Sequence, residues 1–216
     1  VESIKQLTHC INPIDKEIIA EGMRYLATVD IDVANALAVI GPPPPRLRPE
    51  GLETLLSIIV SQQISTHAAS AIMQRVLNLL PEVTADALMV IEDIALREAG
   101  LSYRKIDYAK SLALAIQTGH FDVNGLKTMS NEKAIKEITA LRGFGRWSAE
   151  IYVMFSLQRQ DIFPADDLAL LVSLGRLKQL KDKPTPQQAK DLIAHWAPWR
   201  SVGSLFLWHF YHGAPT

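Results

Sequence analysis

Apolar residues recur at three- and four-residue spacing along almost the whole chain, and alternating runs longer than four residues are hard to find. That periodicity gives each segment one apolar stripe at helical pitch and leaves no half-buried strand, so the expected fold class is all-α. Helix punctuation agrees. Asn12-Pro13 offers an N-cap followed by a proline at the first helical position, and Gly41 with Pro42 to Pro45 stops a helix rich in Val33, Leu37 and Ile40. Further helices are predicted at about 52–63, 67–80, 91–99, 103–118, 123–126, 131–140, 148–156, 167–177, 186–197 and 201–212. No 20- to 50-residue self-similarity is present, which argues against a solenoid.

Composition narrows the function classes. A chain of 216 residues with 48% hydrophobic content can bury a full core. No apolar run reaches the roughly 18 to 20 residues of a membrane span, and the opening Val1-Glu2-Ser3-Ile4-Lys5 lacks an apolar signal region. A cytoplasmic protein without membrane partners is expected. The single Cys10 excludes an internal disulfide, a four-cysteine iron–sulfur cluster and a cysteine-rich zinc site within one chain. With 22 Lys plus Arg against 23 Asp plus Glu, the formal net charge is −1. Any nucleic-acid contact must therefore rest on a local patch and on backbone donors.

The most informative segment runs Ile138-Thr139-Ala140-Leu141-Arg142-Gly143-Phe144-Gly145-Arg146-Trp147-Ser148-Ala149-Glu150. An amphipathic helix enters a Leu-x-Gly-x-Gly turn and another helix starts at once. Glycines two apart allow positive φ and close backbone approach, while the next helix presents unpaired N–H groups and a positive dipole end. Such a cradle would hold a phosphate whatever the neighbouring bases. A Gly-x-Gly by itself is equally a tight turn between helices. The rest of the sequence shifts that balance, because Pro164-Ala165-Asp166 follows, with Asp166 nineteen residues after Trp147.

Together these motifs resemble the helix-hairpin-helix and Gly/Pro/Asp (HhH-GPD) superfamily of DNA glycosylases. Three other places extend the resemblance: Ile58 to Ser65, which looks like the segment supplying a wedge to the DNA stack; Gly100-Leu101-Ser102-Tyr103-Arg104-Lys105, similar to a Gly-x-x-x-x-Lys helix entry; and Pro198-Trp199-Arg200-Ser201 with Leu207-Trp208, similar to the C-terminal signature of the alkyl-base, 3-methyladenine glycosylase II branch. The resemblance implies a compact two-lobed helical bundle. Residues 1–48 would pack with the C-terminal lobe, 49–160 would form a six-helix lobe ending in the hairpin, and 161–216 would carry the aspartate and the Trp-Arg-Ser segment. It also implies a monomeric monofunctional glycosylase of base excision repair, acting on alkylated bases such as 3-methyladenine and 7-methylguanine in double-stranded DNA.

Roles follow residue by residue. Cleaving an N-glycosidic bond builds positive charge on the sugar, so a carboxylate near C1′ stabilises the transition state and orients water. The family spacing favours Asp166; Asp167 beside it could serve, and one of the pair is expected to cap the following helix. An alkylated purine carries its own positive charge, which activates the leaving group and favours stacking on an indole. Trp147, Trp208 and Ile151 would line the base pocket, although Trp208 among Leu205, Phe206 and Leu207 also reads as core. Gln63, with Gln62 beside it, would fill the gap left by a flipped nucleotide, one of the two glutamines serving equally as a cap.

By the resemblance, Gly143, Gly145 and Ser148 would donate backbone N–H groups to a phosphate. The carbonyls of Thr139, Leu141 and Phe144 would hold a structural Na⁺ or K⁺, with no cofactor needed for catalysis. Arg146, Arg104 and Lys105 are candidate phosphate contacts or solvated helix faces. In relatives that nick the strand a Schiff-base lysine stands at the position held by Trp147, so no lyase activity is expected. The alkyl-base relative of bacteria also has a β-rich domain ahead of its helices and a tyrosine where Ile151 stands; here the fifty or so residues before Leu52 read as helices, and no N-terminal β domain is expected. Three competing readings stay open: a hairpin module that binds DNA without chemistry, an oxidised-base glycosylase with lyase activity, and a purely structural helical protein.

Overall fold

Among the residues described by the computed structural model, 13–213, twelve α-helices and two short 3-10 turns form, and no strand. In chain order they are α1 (Lys16–Val29), α2 (Ile31–Ile40), α3 (Leu52–Ser61), α4 (Thr66–Asn78), α5 (Ala85–Val90), α6 (Asp93–Glu98), α7 (Tyr103–Gln117), α8 (Asn131–Thr139), α9 (Arg146–Phe155), α10 (Leu168–Leu177), α11 (Pro186–Leu192) and α12 (Arg200–Gly213). None is long and apolar enough to cross a membrane. The all-helical expectation therefore holds.

The chain divides into two compact units. One comprises the residues up to Leu47, Gln158–Phe163 and those from Leu168 onward; the other comprises Arg48–Leu157 and Pro164–Asp167. The expected division at 160/161 thus differs in one respect that matters for function. Pro164–Asp167, with Asp166, groups with the unit that carries the hairpin rather than with the C-terminal helices.

In the first unit α10 packs on α12, and α1 packs on both α2 and α12. Their buried stripes supply Ile19, Met23, Leu26, Leu170, Leu174, Val202, Leu205 and Phe206. Each such side chain, removed from water, contributes about 1.5–3 kcal/mol before the entropy cost of ordering it. The first helix starts later than the proline predicts: Asp15 is its N-cap, accepting from the amides of Glu17 and Ile18. Pro13 precedes it without joining, and Asn12, like Cys10, lies outside the described residues.

In the second unit Leu56, Val60, Val76, Leu88, Leu96, Leu101, Ile106 and Ala109 close one continuous core. Helix α5 has no counterpart among the predicted helices, since its six residues are too few to display a period. It is completed from outside: the Lys110 ammonium donates to the carbonyls of Leu88 (3.0 Å), Met89 (2.9 Å) and Ile91, covering the unpaired end of the helix. Helix α3 stops two residues before the predicted end because Gln62 has ψ 128° and Gln63 φ +58°, both outside the helical region.

Candidate active site

The hairpin follows from how α8 ends. Its buried face, Ala134, Ile135 and Ile138, anchors the helix, and the amide of Leu141 donates to the Ile138 carbonyl at 3.1 Å to close the last turn. The Phe144 amide donates to the Leu141 carbonyl at 3.2 Å, and the Phe144 ring is buried. Gly143 sits at φ +90°, and a Cβ there would lie 2.3 Å from the ring of Tyr108. Both the conformation and the close approach require glycine.

Gly145 is different. Its φ is −92°, it is the N-cap of α9, and nothing lies within 4 Å of where its Cβ would be. No side chain caps the helix, and the first intrahelical bond runs from Ala149 to the Gly145 carbonyl at 3.1 Å. The amides of Arg146, Trp147 and Ser148 therefore end the helix without an intrahelical acceptor, at its positive pole. The Ser148 side chain itself is buried, so only its backbone is offered outward.

Helix α7 braces the turn from one side. The Tyr108 ring lies against Gly143, Arg104 stacks over that ring and donates from Nε to its hydroxyl, and Asp107 pairs with Arg142 at 2.9 Å. The loop after α3 braces it from the other. Gln62 Nε2 donates to the Gly143 carbonyl at 2.8 Å, and Lys105 Nζ donates to the Val60 carbonyl at 2.7 Å. A cleft of about 540 Å³ remains between them, bordered by Gln62, Gln63, Arg104, Lys105, Gly145 and Trp147.

These bonds give several of the expected site residues partners within the protein. Gln62 tethers the loop to the hairpin, and Gln63 beside it is exposed at positive φ. Lys105 caps the end of α3, and burial pushes its ammonium below the ordinary lysine value. Arg146, expected at a phosphate, spends its Nε on buried Glu150 at 2.8 Å. Arg104 remains exposed at the cleft. The sequence pattern offers no signal for Tyr108, which supports both Gly143 and Arg104.

The Trp147 indole is 41% exposed, and its Nε1 donates to Asp167 Oδ2 at 2.9 Å. The Asp167 amide in turn donates to the Pro164 carbonyl at 2.9 Å, closing a turn whose first two residues, Pro164 and Ala165, are buried. Asp166 is the third residue of that turn and faces solvent. Trp147, Asp166, Asp167, the hairpin and Gln63 all belong to one unit. A second cleft, about 470 Å³, touches Trp147 as well and is edged by Arg48, Ser57, Ser61, Ile64 and Ser70.

Trp208 and Ile151 are both buried. Trp208 is only 8% exposed, in a stretch of α12 whose residues from Ser201 to Trp208 are all buried, and the Arg46 guanidinium lies 5.9 Å from its ring centroid. Ile151 is buried within α9. Among the described residues no group of three or more His, Cys, Asp or Glu could hold a metal ion.

The model of the HhH-GPD superfamily of base excision DNA repair proteins matches residues 56–198, well over half of the chain. The chain belongs to this superfamily. It is 32% identical over 163 residues to DNA-3-methyladenine glycosylase 1 of Schizosaccharomyces pombe, covering 74% of this chain and 72% of that one. A 3-methyladenine DNA glycosylase from the same yeast, solved in complex with abasic DNA, superposes with a TM-score of 0.75 at 29% identity, over 87% of this chain and 95% of that one. A DNA-3-methyladenine glycosidase from Bacillus halodurans superposes with a TM-score of 0.79 at 28% identity, over 94% and 92% of the two chains. The superfamily's hairpin and its Pro-x-Asp segment both lie inside the matched region.

Proposed function

We propose that this chain is a monofunctional DNA glycosylase that hydrolyses the N-glycosidic bond of alkylated bases in duplex DNA and leaves an abasic site. The observation that carries the reading is the grouping, within one unit, of an uncapped hairpin amide cluster, a half-open indole and an exposed aspartate on a braced turn. Support for the substrate class comes from the names of the similar proteins, DNA-3-methyladenine glycosylases of yeast and bacteria.

The roles are these. The hairpin amides take a phosphate, and the backbone carbonyls of Thr139, Leu141 and Phe144 would hold a monovalent cation; the Thr139 hydroxyl is turned back to the Ile135 carbonyl at 2.9 Å, which leaves only its backbone for that role. That ion would supply local positive charge and no step of the reaction. Gln63 fills the space of the extruded nucleotide, whose removal from the stack costs a few kcal/mol. The cationic base stacks on Trp147 and departs as a neutral molecule when the C1′–N bond breaks. Asp166 stabilises the positive sugar and takes the proton of the water whose oxygen bonds to C1′. Trp147 offers no amine for a Schiff base, which supports hydrolysis without strand nicking. A cytoplasmic monomer acting at the DNA completes the proposal.

Incubation with methylated duplex DNA, assayed for free 3-methyladenine and 7-methylguanine, is expected to show release by the wild type. Asp166→Asn is expected to lower it by about a hundred-fold or more, the effect of deleting one preorganised electrostatic group. Absence of any released alkylated base would overturn the enzymatic reading, and full activity in Asp166→Asn would overturn the carboxylate assignment. A borohydride-trapped covalent complex with DNA would instead establish a lyase.

A further inference from the structure

We infer that the cleft between the end of α10 and α11 is a binding site for a small zwitterion with an apolar chain, of which the free α-amino acid leucine is a simple example. The inference is independent of the proposed reaction, because every residue it uses belongs to the first unit and none to the unit that carries the hairpin. The cleft measures about 550 Å³, within the roughly 300–1,000 Å³ of small-ligand sites.

Its walls are fixed by the local fold. Helix α10 ends in a Schellman turn: Gln179 sits at φ +52°, its amide donates to the Arg176 carbonyl at 3.1 Å, and the Leu180 amide donates to the Gly175 carbonyl at 2.9 Å. The next loop lies close on the helix, since a Cβ at Gly175 would stand 3.3 Å from Lys183 Cα and 3.4 Å from Pro184 Cδ. The other wall, α11, begins in a capping box. There the Gln188 amide donates to Thr185 Oγ1 at 3.3 Å and the Thr185 amide donates to Gln188 Oε1 at 2.9 Å. Such bracing forms the cleft in advance, so little ordering is left for a ligand to impose.

Three kinds of lining meet in it. Leu180, 40% exposed, half-buried Leu192 and Pro184 supply an apolar surface. Asp182 and Asp191 supply exposed carboxylates, and Asp191 Oδ1 accepts from Gln187 Nε2 at 2.9 Å. Lys183 and Gln188 supply donors, an ammonium and a side-chain amide whose oxygen is already engaged by Thr185, so that its NH2 is what it offers. An apolar chain alone would leave the charged rim unused. With two carboxylates against one ammonium, a DNA backbone is repelled. A ligand that matches all three linings carries an ammonium for the aspartates, a carboxylate for Lys183 and Gln188, and an alkyl chain for the leucines and the proline.

The test dissects leucine into its parts. Amide chemical shifts of the intact protein, read by NMR, are followed on titration with leucine. Isoamylamine, isocaproate and N-acetyl-leucine amide are then titrated, which lack the carboxylate, the ammonium and both charges respectively. Leucine is expected to shift the amides of residues 180–192, with a Kd on the order of millimolar, the strength open to a rim of solvent-exposed contacts. Asp191→Asn, which keeps an acceptor for Gln187, and Lys183→Gln should each weaken leucine about two- to five-fold, the worth of one exposed ion pair. Asp191→Asn should not weaken isocaproate, and Lys183→Gln should not weaken isoamylamine. Should Asp191→Asn fail to fold, Asp182→Asn tests the same ammonium contact.

No shift in the cleft, shifts confined to other residues, or variants that leave the Kd of leucine unchanged would each overturn the inference. So would N-acetyl-leucine amide binding as tightly as leucine, since that would mean an apolar contact without recognition of charge. Failure here is distinguishable from failure of the proposed reaction. Both variants are expected to release methylated bases at the wild-type rate whether or not leucine binds.

Discussion

Trp196 gives its indole N–H to Asp30 at 2.7 Å, and Trp147 gives its own to Asp167 at 2.9 Å, yet the surroundings of the two pairs are opposite. Trp196 is fully buried, and Asp30 is a hub in the first unit: it caps α2 through the amides of Asp32 and Val33, accepts from Lys178 at 2.6 and 2.7 Å, and has His195 Nε2 at 3.1 Å. Almost every polar valence there is consumed internally. Around Trp147, by contrast, three helix-start amides, half an indole and a neighbouring carboxylate face outward. Consumed polar groups stabilise a fold, whereas groups held rigid but left open can act on something else.

Replacing one aspartate in each region should separate the two uses. Asp166→Asn, the large loss of base release described above, is expected to leave the melting temperature within about 2 °C, since an exposed surface substitution is worth within about 0.5 kcal/mol. Asp30→Asn is expected to do the reverse. Breaking a buried, paired charge costs about 3 kcal/mol, or roughly 6–12 °C in a chain of this size, with catalysis per folded molecule retained. Burial alone would raise the Asp30 carboxyl, but the hydrogen bonds from Lys178 and Trp196 outweigh it and hold the group below the usual carboxylate range. Its stabilisation is therefore present above about pH 3.9 and is lost as pH falls through the lower folded value. Thermal melts between pH 2 and pH 7 should show that acid limb in the wild type and a flatter one in Asp30→Asn. Lys178 gives the complementary limb: burial opposes its charge, the bonds to Asp30 and Asp32 raise its pKa above the ordinary lysine value, and the stability it adds disappears as pH rises through that raised value.

The two hairpin glycines sharpen the contrast within a single turn. Gly143→Ala must place a methyl 2.3 Å from Tyr108 at φ +90°, and is expected to cost about 2–3 kcal/mol of stability from left-handed strain and overpacking. Gly145→Ala meets nothing within 4 Å at an ordinary φ. Its melting temperature should stay within about 2 °C, but the new methyl stands over the open amides and should weaken binding to duplex DNA several-fold. Equal losses of stability in both variants would show that Gly145 is a packing residue and not part of an approach surface.

How much of this was legible in the sequence depends on the range over which each feature is encoded. Helical periodicity and the Leu-x-Gly-x-Gly turn are local, and the structure repeats them to within a few residues at α7, α8, α9 and α10. The open end of α9 was also readable, because a glycine N-cap with no Ser, Thr, Asn or Asp leaves the amides uncapped. What was not readable was which polar side chains the tertiary structure consumes. Gln62, Lys105 and Arg146 looked like surface ligands, and each is tied to a partner, at sequence separations of 81, 45 and 4 residues. Asp167 is tied to Trp147 across 20 residues, a pairing that neither motif announces alone. Trp208 reads as pocket or as core, and it lies in a run of eight successive buried residues of α12.

The smallest expected effect concerns the tether between the two halves of the binding surface. Gln62→Ala removes one half-buried hydrogen bond, to the Gly143 carbonyl, and should cost about 1 kcal/mol, or some 2–4 °C. Its consequence for DNA should be selective. The hairpin keeps Phe144, Tyr108 and its own turn bonds, so the phosphate grip is retained, but the loop of Gln63 loses its bond to the hairpin while the Lys105 bond at Val60 remains. Binding to an intact duplex should therefore change less than binding to a duplex with an abasic site, where a fixed side chain must fill the gap. Anisotropy titrations on the two duplexes decide it: equal weakening on both would mean that Gln62 supports the hairpin alone, while a larger loss on the abasic duplex would mean that backbone grip and gap filling are mechanically joined through its amide.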